Sequence, residues 1–412
     1  MKRFRLLCVA LLALLPLSRG AAQLGPSIYQ LVGSYFNPDP NAGLTAFRSL
    51  LIPMGGLAEG MGMAYTAVAR ESSYFESNPA ASSGLEYTEL SIFHNNWIAD
   101  TRIEGAVYTL RYKGLGFGAG GKWLYLPFVS YDDFGERIGA GYYSEATAAF
   151  NVSYNFLSGY YFNGLALGAT VKAAYRSVPA ALAEAAGNSA AAVMVDLGLL
   201  TRFNLFKLYS AREKNFSVGL ALKNFGPAVQ GEPLPTVANF GLAYAPFRPM
   251  LFSLEIAKPI NLLEPAKSER FIYSAGFRIK LTDFFGVHGG LLLKGGNPRL
   301  SVGSTFDIEL VRLTVNYTLD LTTQLTPLNR ISIQAGFSLG DFGRAELAKK
   351  VETLYLNGLD SYAGGDVAAA ILDWTEALRL DPSFDPARES LRAAQGSVDL
   401  QKSIEVLQRL EP

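Results

Sequence analysis

The sequence predicts a transmembrane barrel of about fourteen antiparallel β-strands with an N-terminal plug, followed by a small helical domain. Three observations favour this fold. Many segments of roughly ten residues alternate apolar and polar side chains, which is the pattern of a strand with one oily face. No apolar run is long enough for a stable membrane-spanning helix. The 412 residues include 41 Gly, 21 Tyr and 26 Phe, which suits tight turns and aromatic girdles.

The alternation is clearest over residues 309–320. Val311, Leu313, Val315, Tyr317 and Leu319 share one face of this segment, and polar residues occupy the other. A face this apolar must meet lipid or a core. Because many segments repeat it, we expect a closed barrel with lipid outside and a polar interior.

The first residues predict the compartment. Lys2, Arg3 and Arg5 precede an apolar run, and small residues end at Ala22, so residues 1–22 have the form of a secretory signal peptide. Cys8, the only cysteine, lies inside that run. We therefore expect a mature chain without disulfides, located in a bacterial outer membrane.

Residues 23–87 precede the first clear strand and are rich in Gly, Ala and Pro. Residues 57–80 within them are dense in small side chains and only weakly helical. Two interpretations remain open, a surface linker and a plug, or hatch, folded inside the barrel.

Residues 88–342 carry the predicted barrel. The strand-like segments are 88–99, 101–113, 115–126, 143–156, 162–176, 191–203, 214–224, 236–246, 250–259, 270–281, 284–294, 298–307, 309–320 and 328–340. An even number of strands places both barrel ends in the periplasm and the connections after odd-numbered strands outside. Two of those connections, 127–142 and 177–190, are long, and the second has the composition of a short Ala-rich helix.

Residues 343–412 change to helical spacing and predict a periplasmic domain of roughly 70 residues. The segment resembles one tetratricopeptide repeat, in which small residues let two antiparallel helices approach closely. The residues that carry this resemblance are Gly358, Ala370, Trp374, Ala377 and Pro382. A plain helical hairpin is the alternative, and either structure predicts a surface for a protein partner.

No catalytic, metal or cofactor site is predicted. His94 and His288 lie on separate strands, and no metal-ligand spacing or Ser/His/Asp arrangement is apparent. Residues 116–122 match two nucleotide-loop patterns by letter, but Trp123 replaces the required hydroxyl residue and no helix follows. Charge is balanced, with 36 basic and 36 acidic residues, so we expect no nucleic-acid partner.

Three groups of residues are candidates for function. Glycines of the third strand predict a kink and a lateral opening, namely Gly114, Gly116, Gly118, Gly120 and Gly121. Basic residues on polar faces predict either ion pairs with plug acids such as Glu59, Glu71 and Glu76 or contacts to a ligand carboxylate, namely Lys172, Lys223, Arg278 and Arg312. Phe128 and Tyr131, in the predicted outer loop, offer an apolar capture surface.

The N-terminal part resembles the hatch of outer-membrane fatty-acid transporters of the FadL type, and most closely their spirochaetal relatives. The resemblance lies in residues 60–69, with Gly60 and Gly62, followed by Asn78, Pro79 and Ala80. It implies a 14-stranded barrel, a plugging hatch, capture of an apolar ligand outside and sideways exit at a strand kink. Arg70 and Glu71 differ from the acidic residues usual before this motif, and the outer loops are shorter.

The predicted function is passive uptake of long-chain fatty acids or other hydrophobic molecules, with membrane lipids and a hydrophobic ligand as partners and no cofactor. One alternative is a platform for protein secretion or for a periplasmic partner bound by the tail. A purely structural outer-membrane protein is the third interpretation.

Overall fold

The computed structural model describes residues 39–97, 100–178, 189–209, 213–294, 297–320 and 328–410. The predicted signal peptide, Cys8 and most of the predicted helix at 177–190 lie outside these residues. No helix in the described part is long and apolar enough to cross a bilayer.

Fourteen antiparallel strands form a closed barrel in which each strand pairs with its sequence neighbours and β1 pairs with β14. The first seven are β1 (Glu89–Asn96), β2 (Arg102–Tyr112), β3 (Leu115–Tyr131), β4 (Arg137–Phe156), β5 (Leu165–Ser177), β6 (Ala190–Phe203) and β7 (Phe216–Phe225). The others are β8 (Thr236–Tyr244), β9 (Met250–Ile260), β10 (Ile272–Lys280), β11 (Phe285–Lys294), β12 (Asn297–Ile308), β13 (Val311–Asp320) and β14 (Leu328–Ser338). The predicted strand count and order are confirmed.

The predicted alternation has its expected orientation. Apolar side chains such as Ile92, Val193 and Tyr317 are exposed on the outer surface. Polar side chains such as Asn151 and Gln334 are buried in the interior. The barrel therefore presents an oily exterior and a polar lumen, which is the opposite of a soluble barrel.

The hairpin of β3 and β4 is longer than predicted, because residues 127–131 and 137–142 are also paired strands. β3 is paired with β2 only as far as Tyr125, and β4 is paired with β5 only from Ser144 onward. The hairpin therefore extends beyond both neighbouring strands. Phe128 and Tyr131, predicted in a loop, therefore lie on β3. Pro127 and two glycines obscured the alternation in the sequence.

Residues 39–87, here called the inner segment, pack against the inward-facing side chains of the barrel. Their elements are short: 3-10 helices at Arg48–Leu51, Ser72–Glu76 and Pro79–Gly84, and helix α1 at Gly56–Gly60. Pro79–Gly84 contacts β2 to β6, and α1 contacts β11 to β14. The segment thus reaches both sides of the lumen, and its contacts exclude the surface-linker interpretation for these residues.

Three helices follow the barrel: α2 (Arg344–Ala363), α3 (Val367–Leu380) and α4 (Asp385–Leu410). They form a tail on the barrel end that carries the even-to-odd turns, since residues 157–164 connect β4 to β5 there. The backbone N–H of Tyr160 donates to Asp385, at 3.2 Å, and the ring of Tyr160 packs on Phe384. We call this the tail side of the barrel and the opposite end the hairpin side.

Candidate functional site

A partly apolar space in the lumen lies between the inner segment and strands β7 to β14. This central cavity measures about 970 Å³, including the solvent space open to it. Apolar groups that line it are Leu50, Leu51, Ile52, Pro53, Met63, Val237, Ala257, Pro259, Ile272 and Leu292. Charged groups on its wall are Glu59, Glu76, Lys223, Glu255, Lys294, Arg299 and Arg330. A space with this mixed lining suits a molecule that is mainly apolar.

A second space, the mouth cleft, lies at the hairpin side and measures about 790 Å³, including the solvent space open to it. Its apolar lining comes from the inner segment and from the base of the β3–β4 hairpin, with Phe47, Ile52, Trp97, Leu124, Leu126 and Tyr143. Leu126 and Tyr143 are paired across β3 and β4. The long hairpin therefore supplies one wall of the cleft.

Residues 50–53 separate these two spaces, and we call them the partition. Ile52 lines both the mouth cleft and the central cavity, and Leu50 lines the central cavity and a smaller cavity beside Lys122. The ammonium group of Lys122 donates to the Ile52 carbonyl at 2.7 Å. Asn95 donates to the Pro53 carbonyl at 2.9 Å. Two polar side chains from the wall thus hold the partition in place.

Buried charges around the partition are paired mainly with each other. Lys122 forms an ion pair with Glu76 at 2.7 Å, and Glu76 also accepts the backbone N–H of Met54 at 2.8 Å. Glu59 lies 3.7 Å from Arg330, and burial raises the pKa of the Glu59 carboxyl although Arg330 opposes this. The Arg330 guanidinium stacks 3.9 Å from the Trp97 ring.

The structure does not bring the four predicted ligand-binding cations together. Lys172 is 2.5 Å from Asp196, an ion pair within the wall. Lys223 lines the central cavity and donates to the Glu76 carbonyl at 3.2 Å. Arg278 and Arg312 lie at the tail side, where Arg312 contacts Asp307 at 2.6 Å. These cations therefore lie in separate parts of the barrel, and their role as contacts to a ligand carboxylate stays a prediction.

Wall cations do pair with acids of the inner segment, as predicted, but the cations that form these pairs are not the predicted ones. Glu76 and Glu59 pair with Lys122 and Arg330, as described above. Glu71 instead accepts hydrogen bonds from Tyr65 Oη at 2.7 Å and from Gln334 at 2.8 Å. Burial and the Glu71 carboxylate raise the pKa of Tyr65, so this phenol remains a donor.

The residues of the predicted hatch motif form the tightest contact between the inner segment and the wall. The Asn78 side chain accepts the N–H of Ala80 at 3.0 Å and so caps Pro79–Gly84. Its amide donates to the carbonyls of Thr66, at 2.8 Å, and of Leu199 on β6, at 3.0 Å. One side chain therefore connects two parts of the inner segment to the barrel.

Glycines on both surfaces allow this contact. A Cβ atom at Gly198 would lie 2.2 Å from Asn78 Oδ1, and one at Gly168 would lie 2.3 Å from the Pro79 carbonyl oxygen. Gly60 faces His288 and Asn316 in the same way, and Gly62, with φ of +64°, lies against the backbone of β11. These positions have no room for a side chain.

Two glycines of β3, Gly116 and Gly118, pack closely against the inner segment. Both hydrogen-bonded ladders of β3 run without a register shift through residues 115–121. A Cβ atom at Gly116 would lie 2.1 Å from the carbonyl carbon of Ser82, and one at Gly118 would lie 2.1 Å from Tyr74 Oη. Gly116 and Gly118 therefore let the inner segment approach the wall, and the lateral opening beside β3 stays a prediction.

The tail residues singled out in the sequence lie together. Ala370, Trp374 and Ala377 are buried on α3, and Trp374 donates to the Tyr355 carbonyl at 3.1 Å. A Cβ atom at Gly358 would meet the Trp374 ring at 2.4 Å, so this glycine permits the contact of α2 and α3. Pro382 follows α3 and ends it. A three-helix tail is confirmed, and its kinship with tetratricopeptide repeats stays a prediction.

Sequence reasoning missed the partition, Lys122 and Asn95. The apolar run 50–53 ending in Pro53 was visible within an otherwise small-residue segment. Lys122 and Asn95 occupy strand positions whose side chains face the lumen, like every second residue of the barrel strands. No local pattern therefore distinguished them from other polar lumen residues. Among the described residues there is no cluster of three His, Cys, Asp or Glu side chains placed to hold a metal ion.

Comparison with known proteins identifies relatives by sequence. The model of an uncharacterised protein family, UPF0164, matches residues 37–341. A UPF0164 protein of Treponema pallidum (strain Nichols) is 30% identical over 380 residues, which cover 88% of this chain and 85% of the relative. A second from the same organism is 29% identical over 383 residues, covering 87% of this chain and 76% of the relative.

Two solved structures are similar in outline. The Ralstonia pickettii toluene transporter TbuX has a TM-score of 0.44 at 12% identity and covers 70% of this chain and 98% of its own. The P. putida toluene transporter TodX has a TM-score of 0.45 at 12% identity and covers 69% of this chain and 98% of its own.

Proposed function

The chain belongs to the uncharacterised protein family UPF0164, and we propose that it carries hydrophobic small molecules passively across a bacterial outer membrane. Long-chain fatty acids are the narrower candidate. The closed ladder and the apolar exterior support a place in a bilayer, where only a closed sheet satisfies all strand hydrogen bonds. In this proposal the hairpin side faces outward, the tail lies in the periplasm and the inner segment is the hatch.

One observation carries the proposal: the mouth cleft and the central cavity are both largely apolar and share Ile52 of the partition. A ligand that enters the cleft meets Leu124, Leu126 and Tyr143 first. Displacement of the partition then joins the cleft to the central cavity. The proposed route includes no exit at β3, because the ladders there are unbroken.

Filling the central cavity tests this route. Ala257 faces the cavity, and Ala146 lies on the exposed outer side of β4. In liposomes that contain the full chain, Ala257→Trp should reduce uptake of a fluorescent hydrophobic probe about tenfold, while Ala146→Trp should leave uptake unchanged. Equal uptake by both variants, or uptake no faster than through protein-free liposomes, would contradict the proposal.

A role as a platform for a protein partner is the second candidate. Large apolar side chains are exposed on the tail, among them Leu356 and Leu372, at 52% and 71% exposure. Deleting residues 343–412 separates the candidates. Transport that persists at the full rate without the tail favours a separate role for these helices, and transport lost while the barrel stays folded assigns them to the transport route.

A further inference from the structure

A third space, the tail-side chamber, opens at the barrel end opposite the mouth cleft. It encloses about 1030 Å³ and is formed by turns and strand ends of β6 to β13 together with residues 70 and 71 of the inner segment. Its lining is mainly charged, in contrast to the central cavity. The cations are Arg70, Lys214, Arg248, Arg278, Lys280 and Arg312, and the acids are Glu71, Glu86, Glu213 and Asp307.

Two of the four acids of the chamber, Asp307 and Glu71, are occupied by other groups. Asp307 pairs with Arg312 at 2.6 Å. Glu71 accepts from Tyr65, Gln334 and the backbone N–H of Ser73. In contrast, the structure shows no ion pair between Arg70, Arg248 or Arg278 and any described residue. Three guanidinium groups therefore face one chamber without a carboxylate partner in the described part of the chain.

We propose that the tail-side chamber is a binding site for an oxyanion, a carboxylate or a phosphate group, held by Arg70, Arg248 and Arg278. Guanidinium groups offer planar pairs of N–H donors that match such groups, and their bonds to ionised oxygens are the strongest ordinary hydrogen bonds. Arg70 and Arg278 are half-buried, so their attraction to an anion is screened less than at an open surface.

Beside the arginines the chamber offers a short apolar wall. Ala245, Pro249, Met250 and Leu251 line it from the β8–β9 turn and the start of β9. Arg278 pairs with Leu251 across the β9–β10 ladder, which places the cation and the apolar wall together. A short alkyl carboxylate would contact both, whereas inorganic phosphate would use the arginines alone.

This inference deepens the proposed function in one respect, because it makes the ligand head group an anion that leaves by the tail side. The evidence for the binding site is the lining of the tail-side chamber, and it does not depend on transport. Uptake of an uncharged probe depends on the cleft and the central cavity, so the two proposals fail in different measurements.

Calorimetric titration of the full chain in non-ionic detergent tests the site, with hexanoate, hexanol and inorganic phosphate as probes. The variants are Arg70→Gln and Arg278→Gln, and the control is Arg137→Gln, an exposed arginine of the β3–β4 hairpin at the other end. Melting temperatures equal to that of the unchanged protein establish that each variant is folded. We expect each chamber variant to weaken hexanoate binding about tenfold or more, and the control to leave it unchanged.

The probes distinguish the two sources of the oxyanion. Hexanoate bound more tightly than phosphate supports an amphiphile head group, and arginine-dependent phosphate binding without a gain from the alkyl chain supports a free anion. Hexanol bound as tightly as hexanoate, or hexanoate bound equally by the chamber variants and the control, would overturn the proposal. So would an absence of binding by both anions.

Discussion

The inner segment contacts the barrel wall in two different ways. Residues 78–84 lie directly on glycines of β3, β5 and β6, with the Asn78 side chain donating to Leu199 of the wall. Residues 50–53 instead stand between cavities and reach the wall through the tips of Lys122 and Asn95. We call the first contact the seal, and the second is the partition already defined.

The seal and the partition differ in how much free energy it costs to move them. Backbone packed on glycine leaves no space, so movement of the seal would require the loss of buried hydrogen bonds and close contacts together. The partition is bordered by empty space on two sides, and its polar bonds come from side chains that can follow a small shift. Opening should therefore begin at the partition while the seal keeps the segment in the barrel.

Adding a methyl group at the seal should have the largest effect. Gly116→Ala places a Cβ atom 2.1 Å from the Ser82 carbonyl carbon, a backbone atom that cannot rotate away. We expect a loss of about 3 kcal/mol or more, the upper range of overpacking costs, and protease cleavage within residues 78–84. Thermal unfolding in detergent and limited proteolysis measure the two effects.

The control for this substitution is Gly286→Ala on β11, where the nearest atom to the new Cβ is 3.3 Å away. Both changes add the same group to a strand. Equal stability of the two variants would show that residues 78–84 do not rest on β3 as described.

Removing the Asn78 side chain should have the next largest effect. Asn78→Ala deletes the cap of Pro79–Gly84 and leaves the Thr66 and Leu199 carbonyls without this donor, which costs about 2 kcal/mol. Asn78→Asp keeps the capping acceptor and loses only the two donors. At low pH, where the new carboxyl is neutral, the unfolding temperature of Asn78→Asp should lie between those of Asn78→Ala and the unchanged protein. An Asn78→Ala protein as stable as the original would show that the Asn78 side chain does not hold the seal.

The seal and the strands were largely predictable from sequence, and the partition was not. Except at the hairpin ends of β3 and β4, alternation located each strand to within a few residues, because a period of two, once set, continues along the segment. The motif at residues 78–80 was likewise local. Its contacts with the wall could not be predicted, because the glycines on which it packs, such as Gly168 and Gly198, lie on strands far away in the sequence.

Long-range pairing determines contacts that the local sequence pattern could not predict. Lys172 was a candidate ligand contact, but Asp196 on the adjacent strand neutralises it. Glycines of β3 indicated a kink, but the atoms that need their space belong to Ser82 and Tyr74 of the inner segment. In both cases the deciding neighbour is tens of residues away, so the local pattern carries no information about it.

Loosening the partition should change transport more than stability. The double variant Lys122→Met and Glu76→Gln removes the bond to the Ile52 carbonyl and the ion pair together, so no buried charge loses its partner. We expect uptake of the fluorescent hydrophobic probe into liposomes to rise several-fold, because the free energy needed to open the partition falls by about 1 kcal/mol. Lys113→Met, an exposed change in the β2–β3 turn, should leave uptake unchanged. Unchanged uptake in the double variant would show that residues 50–53 do not limit entry.

The smallest effect is expected at an exposed contact outside both regions, which sets a baseline for the others. The Asp341 carboxylate accepts the N–H groups of Ala345 and Gly343 before α2, and these bonds lower the pKa of Asp341. A lowered acid pKa stabilises the fold above the ordinary Asp value, and this contribution disappears as the pH falls through the lowered value. Asp341→Asn should therefore reduce tail helicity slightly at neutral pH and remove part of its loss on acidification, measured by circular dichroism. A larger change than that of Asn78→Ala would reverse the ranking, because it would place more stability in this exposed cap than in the seal.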